Sequence, residues 1–172
     1  STSNFFYFVP DTPIANDVIV TEFVCDPSPA VGLPEVEYIE IYNRSTKTFD
    51  LTNWTISDAS SSATFGAAVL APDQYLLITA MGDGAQFFVS NYTEVSLPSL
   101  NNSDDAIVIK DDLGNTIDSI YYTDDWYQDA SKNDGGWSIE RKHLDAPCND
   151  INNWAASTDL IGGTPAIQNS IW

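Results

Sequence analysis

No stretch of this chain keeps an apolar period near 3.6 residues for long. Short runs rich in Val, Ile, Tyr and Phe recur instead, broken by Gly, Pro, Asn and Asp at intervals of about 8–12 residues. A chain patterned this way lacks the helices that a bundle or a parallel βα sheet requires, which leaves an antiparallel β-sandwich. The runs predict strands over 18–24, 36–42, 49–57 (kinked), 63–70, 74–79, 106–111, 116–122 and 137–141. Asp112-Leu113-Gly114-Asn115 is the turn of a hairpin between the sixth and seventh of these. Residues 85–91 are expected to make one helical turn, and the chain beyond Pro147 to be irregular. There is no internal repeat of solenoid period.

At 172 residues, with 43% hydrophobic and 12% aromatic, the chain can bury a sizeable core as one domain. Residues 1–17 are read as a linker or N-terminal arm whose aromatic patch, Phe5 to Phe8, either docks on the domain or meets a preceding module. Residues 18–172 form the domain itself. The absence of Met at position 1 suggests a mature or excised piece of a longer protein. Acidic residues outnumber basic ones by 25 to 6, giving a formal net charge of −19. This disfavours nucleic acid, where affinity comes from Lys and Arg displacing phosphate counterions, and it disfavours anionic membrane surfaces. Cations are the natural counterpart, Ca²⁺ foremost, although such charge also simply keeps a secreted domain soluble. Cys25 and Cys148 are the two cysteines; a bond between them would close about 123 residues and stabilise by roughly 4–5 kcal/mol, but spacing does not show that they meet.

The most information per residue lies in Glu22 to Asn43, EFVCDPSPAVGLPEVEYIEIYN: two strands joined by a stiff, proline-rich loop, with carboxylates at Glu22, Asp26, Glu35, Glu37 and Glu40. Ile39 and Ile41, two apart on a strand, share a face. This stretch resembles the opening signature of bacterial lamin-tail domains. Asp50-Leu51 with Trp54, the run from Leu100 to Tyr122, Gly135-Gly136-Trp137-Ser138-Ile139-Glu140-Arg141, Asn153-Trp154, and Gly162-Gly163-Thr164-Pro165 with Asn169-Ser170 continue the likeness in order, over roughly Val18 to Ser170. The resemblance implies an immunoglobulin-like β-sandwich and a module attached to larger secreted or surface proteins of Bacteroidetes-like bacteria. Two positions depart from the pattern. Cys25 replaces a small or apolar residue, and Ala166 stands where the family has Gly, so the tail is expected to leave the domain at a different angle. The basic surface credited with chromatin binding in lamin tails is missing here.

Candidate sites follow from the acids and aromatics. Glu22, Asp26 and Glu37, with Glu40 beside them, could converge as oxygen ligands for Ca²⁺, the one cofactor these residues suggest; alternatively Glu40 and Glu140 pair with Arg141 and Arg44, while the others cap turns. Residues 129–140 imitate a calcium loop but place Asp134 at the sixth position, where the sharp turn needs Gly, so they are read as a turn before a strand. Trp126 and Tyr127, in an acidic loop, are a candidate contact surface, while Trp54 and Trp137 are expected in the core. His143 is the only histidine, no G-x-S-x-G elbow exists, and adjacent acids such as Asp104-Asp105 point to opposite faces, so catalysis is poorly supplied. The expected function is a non-catalytic interaction or tethering module of an extracytoplasmic multidomain protein, meeting protein or glycan through loops 26–34 and 124–134. A Ca²⁺-dependent, glycan-binding domain is the second reading and a hydrolase the third.

Overall fold

The computed structural model describes residues 10–172; the aromatic run from Phe5 to Phe8 lies outside them. The described strands are β1 (Val18–Val24), β2 (Tyr38–Asn43), β3 (Phe49–Asp50), β4 (Thr55–Ser57), β5 (Ser62–Thr64), β6 (Val69–Leu70), β7 (Tyr75–Ala80), β8 (Tyr92–Val95), β9 (Asp104–Lys110), β10 (Thr116–Thr123), β11 (Ile139–Arg141) and β12 (Trp154–Ala156). One sheet runs β12-β11-β1-β2-β7-β8 and faces a second, β10-β9-β4-β5, with β3-β6 as a short ribbon at the side. This is the immunoglobulin-like antiparallel sandwich that the strand pattern and the resemblance both imply. One pair departs from antiparallel order: β8 lies parallel to β7, reached through a 3₁₀ turn at Gly84–Phe87, where the sequence predicts a helical turn.

The kinked third strand divides into β3 and β4 around a turn closed by Trp54 N–H donating to Leu51 O at 2.9 Å, with Asn53 in left-handed backbone. Residues 63–70 divide likewise into β5 and β6. Two short edge strands, β8 and β12, fall where no strand is predicted. The segment from Asp11 to Asp17 is tied to the sandwich: Asp11 N–H donates to Thr48 O, Asn16 N–H to Ile117 O, and Asp17 pairs with Lys47 at 2.8 Å.

Alternation sorts the side chains. On β2, Ile39 and Ile41 enter the core while Tyr38 joins Val24, Leu77 and Phe87 in a smaller cluster on the outer face of the six-stranded sheet. On β1 the phase changes partway. Val18 and Val20 point inward, but so does Phe23, because a bulge between Val20 and Glu22 inserts one residue and inverts the period. The inversion sends Glu22 outward.

Aromatic rings fill the centre. Phe23 lies 4.6 Å from Tyr122 and 5.8 Å from Trp154, and Trp126 stacks on Trp154 at 5.3 Å. Trp126 and Tyr127 are therefore core residues, 4% and 2% exposed, and not the contact surface the sequence suggested. They sit on a 3₁₀ turn, Asp124–Tyr127, that leaves its acids in solvent and turns both rings inward; left-handed Gln128 ends it and donates through Nε2 to Trp154 O at 2.8 Å. Between the sheets, Asp118 Oδ2 accepts from Val20 N–H at 2.8 Å and lies 3.8 Å from the buried Arg141. The two cysteines are free thiols: Cys25 is buried beside Tyr127, and Cys148 bonds to Ser119 O.

Trp126→Ala is expected to lower unfolding stability by about 3–5 kcal/mol, the usual cost of emptying a buried Trp site. Equilibrium urea unfolding measures it, and a loss within about 0.5 kcal/mol would return Trp126 to the surface.

Candidate functional site

The register of three neighbouring strands puts three carboxyl groups side by side. Glu22 on β1 is opposite Glu140 on β11 and opposite Glu40 on β2, and all three are fully buried. Like charges directly opposite one another destabilise a sheet, and buried carboxylates need partners. None of the three forms an ion pair among the described residues. Arg44 pairs with Asp145 and Arg141 with Asp118, so the expected pairing of Glu40 and Glu140 with these arginines is not what forms.

Their partners come from the end of the chain. Residues 163–171 cross the outer face of the sheet and present hydroxyls and backbone N–H groups to the acids. Thr164 N–H donates to Glu22 Oε1 at 2.8 Å, and Tyr38 Oη–H donates to the same oxygen at 2.6 Å. Thr164 Oγ1 lies between Glu22 Oε2, at 3.1 Å, and Glu140 Oε1, at 3.0 Å. Ala166 N–H donates to Glu40 Oε2 at 2.6 Å, and Thr21 Oγ1 reaches Glu40 Oε1 at 2.7 Å. Ser170 Oγ and Ile171 N–H converge on Glu140 Oε2. Asn169 Nδ2 binds Thr21 O and Arg141 O, bridging β1 and β11. Buried Ser138 Oγ lies beside Glu22 and Tyr38 without a hydrogen bond of normal geometry among the described residues.

The fit is close. A Cβ on Gly163 would come within 2.6 Å of both Glu22 Oε1 and Tyr38 Oη. Gly136 and Gly162, both in left-handed backbone, let residues 135–136, 162–163 and 28–31 stack main chain on main chain, which explains the paired glycines. Ala166 holds φ 67°, the conformation a glycine would supply, despite its side chain. Burial and the neighbouring Glu140 raise the Glu22 carboxyl to about 7, and burial with Glu22 raises Glu40 well above the carboxylate range.

Of the residues proposed for Ca²⁺, Glu22 and the accompanying Glu40 stand in this row, and Asp26 and Glu37 do not. Asp26 is half-buried, its main-chain oxygen accepting from Gly136 N–H, and Glu37 accepts from Ser99 Oγ and Leu100 N–H. Glu22, Asp26 and Glu37 do not converge, and among the described residues no group of three His, Cys, Asp or Glu side chains is placed to hold a metal ion. His143 is exposed just beyond β11.

A second feature lies at the end of the sheet where β1 gives way to its proline-rich loop. Gly32, Leu33 and Pro34, the 3₁₀ turn with Gln86, Phe87 and Phe88, and Ile161 from the chain's end enclose a largely apolar cleft of about 570 Å³. Phe88 is 96% exposed and held in left-handed backbone. Leu33 N–H donates to Ile161 O at 3.1 Å, joining two walls. The loop wall was in view from sequence; Phe88 and Ile161 were not, since only the fold brings them to it.

The structure is thus an all-β immunoglobulin-like domain with an apolar cleft at one end and three buried glutamates covered by residues 163–171. A family model described as Lamin Tail Domain matches residues 12–124, more than half of the chain, and the chain belongs to that family. Membership points to a non-enzymatic, immunoglobulin-like interaction domain. No curated protein matches the chain. The match ends before β11 and β12, which complete the six-stranded sheet.

Two outcomes are expected. Ala166→Gly should stabilise by about 1 kcal/mol in denaturant unfolding, because it removes the left-handed penalty while keeping the N–H to Glu40. Stability should also fall as pH rises. Glu22 and Glu40 bind protons more tightly folded than unfolded, so their contribution is complete below the unfolded value near 4.5 and is lost as pH climbs towards the folded value, about 7 for Glu22. Asp118 and Glu37, also raised by burial, act in the same direction. Unfolding at about pH 5 and about pH 8 should differ by on the order of 2–3 kcal/mol from Glu22 alone; equal stabilities would contradict this.

Proposed function

We propose that this chain is a non-catalytic interaction module of a secreted or cell-surface multidomain bacterial protein, tethering a neighbour by holding one of its segments in the cleft at Phe88. The observation that carries the reading is a phenylalanine almost wholly in solvent beside Leu33, Pro34 and Ile161. Exposed apolar residues are ordinary singly; several walling one concavity mark a contact site. The extracytoplasmic setting is supported by the resemblance to modules of secreted bacterial proteins.

Charge selects the occupant. Each wall carries a carboxylate in its own segment: Glu35 after Pro34, Asp83 bonded to Gln86, and Asp159 accepting from Ile161 N–H. None of these acids forms an ion pair among the described residues. Most basic side chains are engaged elsewhere: Lys47 with Asp17, Arg44 with Asp145, Arg141 in the core, and Lys132 over Trp137. The fitting partner is a protein segment with an apolar anchor flanked by Lys or Arg. The small cleft suits a weak or transient contact.

A displayed peptide library selected on the protein should yield sequences with an apolar residue between basic ones. Phe88→Asp should weaken them by at least about tenfold without loss of stability, as expected for an anchor contact, and added salt should weaken them further. Peptides indifferent to Phe88→Asp, or binding confined to a glycan, would refute the reading.

A further inference from the structure

The row of acids carries an inference that does not depend on what fills the cleft. The Thr164 hydroxyl has one proton, yet its oxygen lies at hydrogen-bond distance from Glu22 Oε2 and from Glu140 Oε1. Both contacts are hydrogen bonds only if one of the two carboxyls also carries a proton. The surrounding donors select Glu22. Among the described residues its Oε2 makes no other hydrogen bond of normal geometry, with only the Ser138 hydroxyl nearby, whereas Glu140 Oε2 already gathers Ser170 Oγ and Ile171 N–H, as an ionised carboxylate does. The chain of donation then runs from Glu22 Oε2–H to Thr164 Oγ1, and from Thr164 Oγ1–H to Glu140 Oε1.

Among the described residues no positive charge faces the acids to replace that proton. From β1 the acids face Thr21 and Glu22, and from β2 Tyr38 and Glu40. Tyr75 on β7 is next to Glu40, β11 supplies Glu140, with Ser138 preceding it, and β12 sets Ala155 opposite Glu140. Residues 163–171 contain no Lys, Arg, His, Asp or Glu. Arg141 is committed to Asp118 and to Val20 O.

We propose that residues 163–171 are a proton-held latch: one proton between Glu22 and Glu140, relayed through the Thr164 hydroxyl, fastens this segment over the sheet, and its loss at higher pH lets the segment open. The device balances without any outside reagent. Opening exposes both carboxyls to water and releases the single proton to solvent.

The test is hydrogen exchange by NMR on the whole chain, read at the Thr164, Ala166 and Ile171 amides and corrected for the intrinsic rate at each pH. Release of one proton on opening makes the opening equilibrium of these amides rise by up to about tenfold per pH unit between about pH 5 and about pH 7. Amides of the β4–β9 pair, which open only with the whole domain, should stay better protected than these three at every pH. Glu22→Gln places an N–H where the carboxyl proton was, so its latch should stay closed to higher pH and its opening should lose the part of the slope that this proton supplies, keeping only what Glu40 under Ala166 contributes. A slope of zero in the native protein, or an undiminished slope in Glu22→Gln, overturns the proposal. Should Glu22→Gln not fold, carbon-13 titration of the native glutamate carboxyls decides: one of Glu22 and Glu140 must remain protonated at about pH 6, and ionisation of both there overturns it.

Discussion

Three glutamates buried in one row across a sheet set the terms for everything around them. Left to solvent, Glu22, Glu40 and Glu140 would be an ordinary acidic stripe on the outer face of the six-stranded sheet. Covered, each requires donors, and the cover must bring them without bringing bulk. The segment that answers is 142 residues away from Glu22 in sequence and supplies Thr164, Ala166, Ser170 and Ile171. Burying an unmatched carboxylate is so costly that the segment and the row stand or fall together. Gly163 follows from the same demand, since a side chain there would hold the cover off Glu22 and Tyr38, while Gly136 and Gly162 let the neighbouring main chains and the 29–31 loop close up beside it.

The closure also decides how far the domain extends. The matched family region ends at residue 124, yet β1 is flanked by β2 on one side and by β11 on the other, and β11 carries Glu140. Without residues 125–172, β1 would become an open edge and its outward Glu22 would lose its cover. Trp126 and Trp154 tell the same story from inside, because both pack around Phe23 of β1 or its neighbours. Sheet, core and polar cover all draw on the last quarter of the chain, so the folding unit is longer than the matched region.

Much of the sandwich was readable because its strands alternate strongly and its turns are punctuated: β1, β2, β7, β9 and β10 stand close to where the pattern puts them. The strands that escaped, β8 and β12, are short edge strands whose identity comes from a partner and not from their own composition. The site was misread for a more specific reason. Strict alternation places Glu22 on the same face as Val18 and Val20, and only the bulge before Glu22 sends it to the other side. Nothing local announces that bulge, so a cluster of nearby acids was read as one group when the fold sends Glu22, Asp26 and Glu37 to different surroundings. Trp126 and Tyr127 were misjudged by their neighbours: four acids between 124 and 134 mark the loop as wet, but the 3₁₀ turn separates its rings from its carboxylates.

The two features of the outer face are mechanically joined. Ile161 walls the cleft, Gly162 O accepts from Ser138 N–H just before β11, and Thr164 begins the contacts to the acids, all within four residues. The Ser138–Gly162 bond stands between the two features, so the cleft wall and the cover of the acids share one stretch of main chain anchored just before β11. Acidity alone would have supplied solubility; it is the burial of three of the chain's 25 acids that turns charge into a constraint on shape.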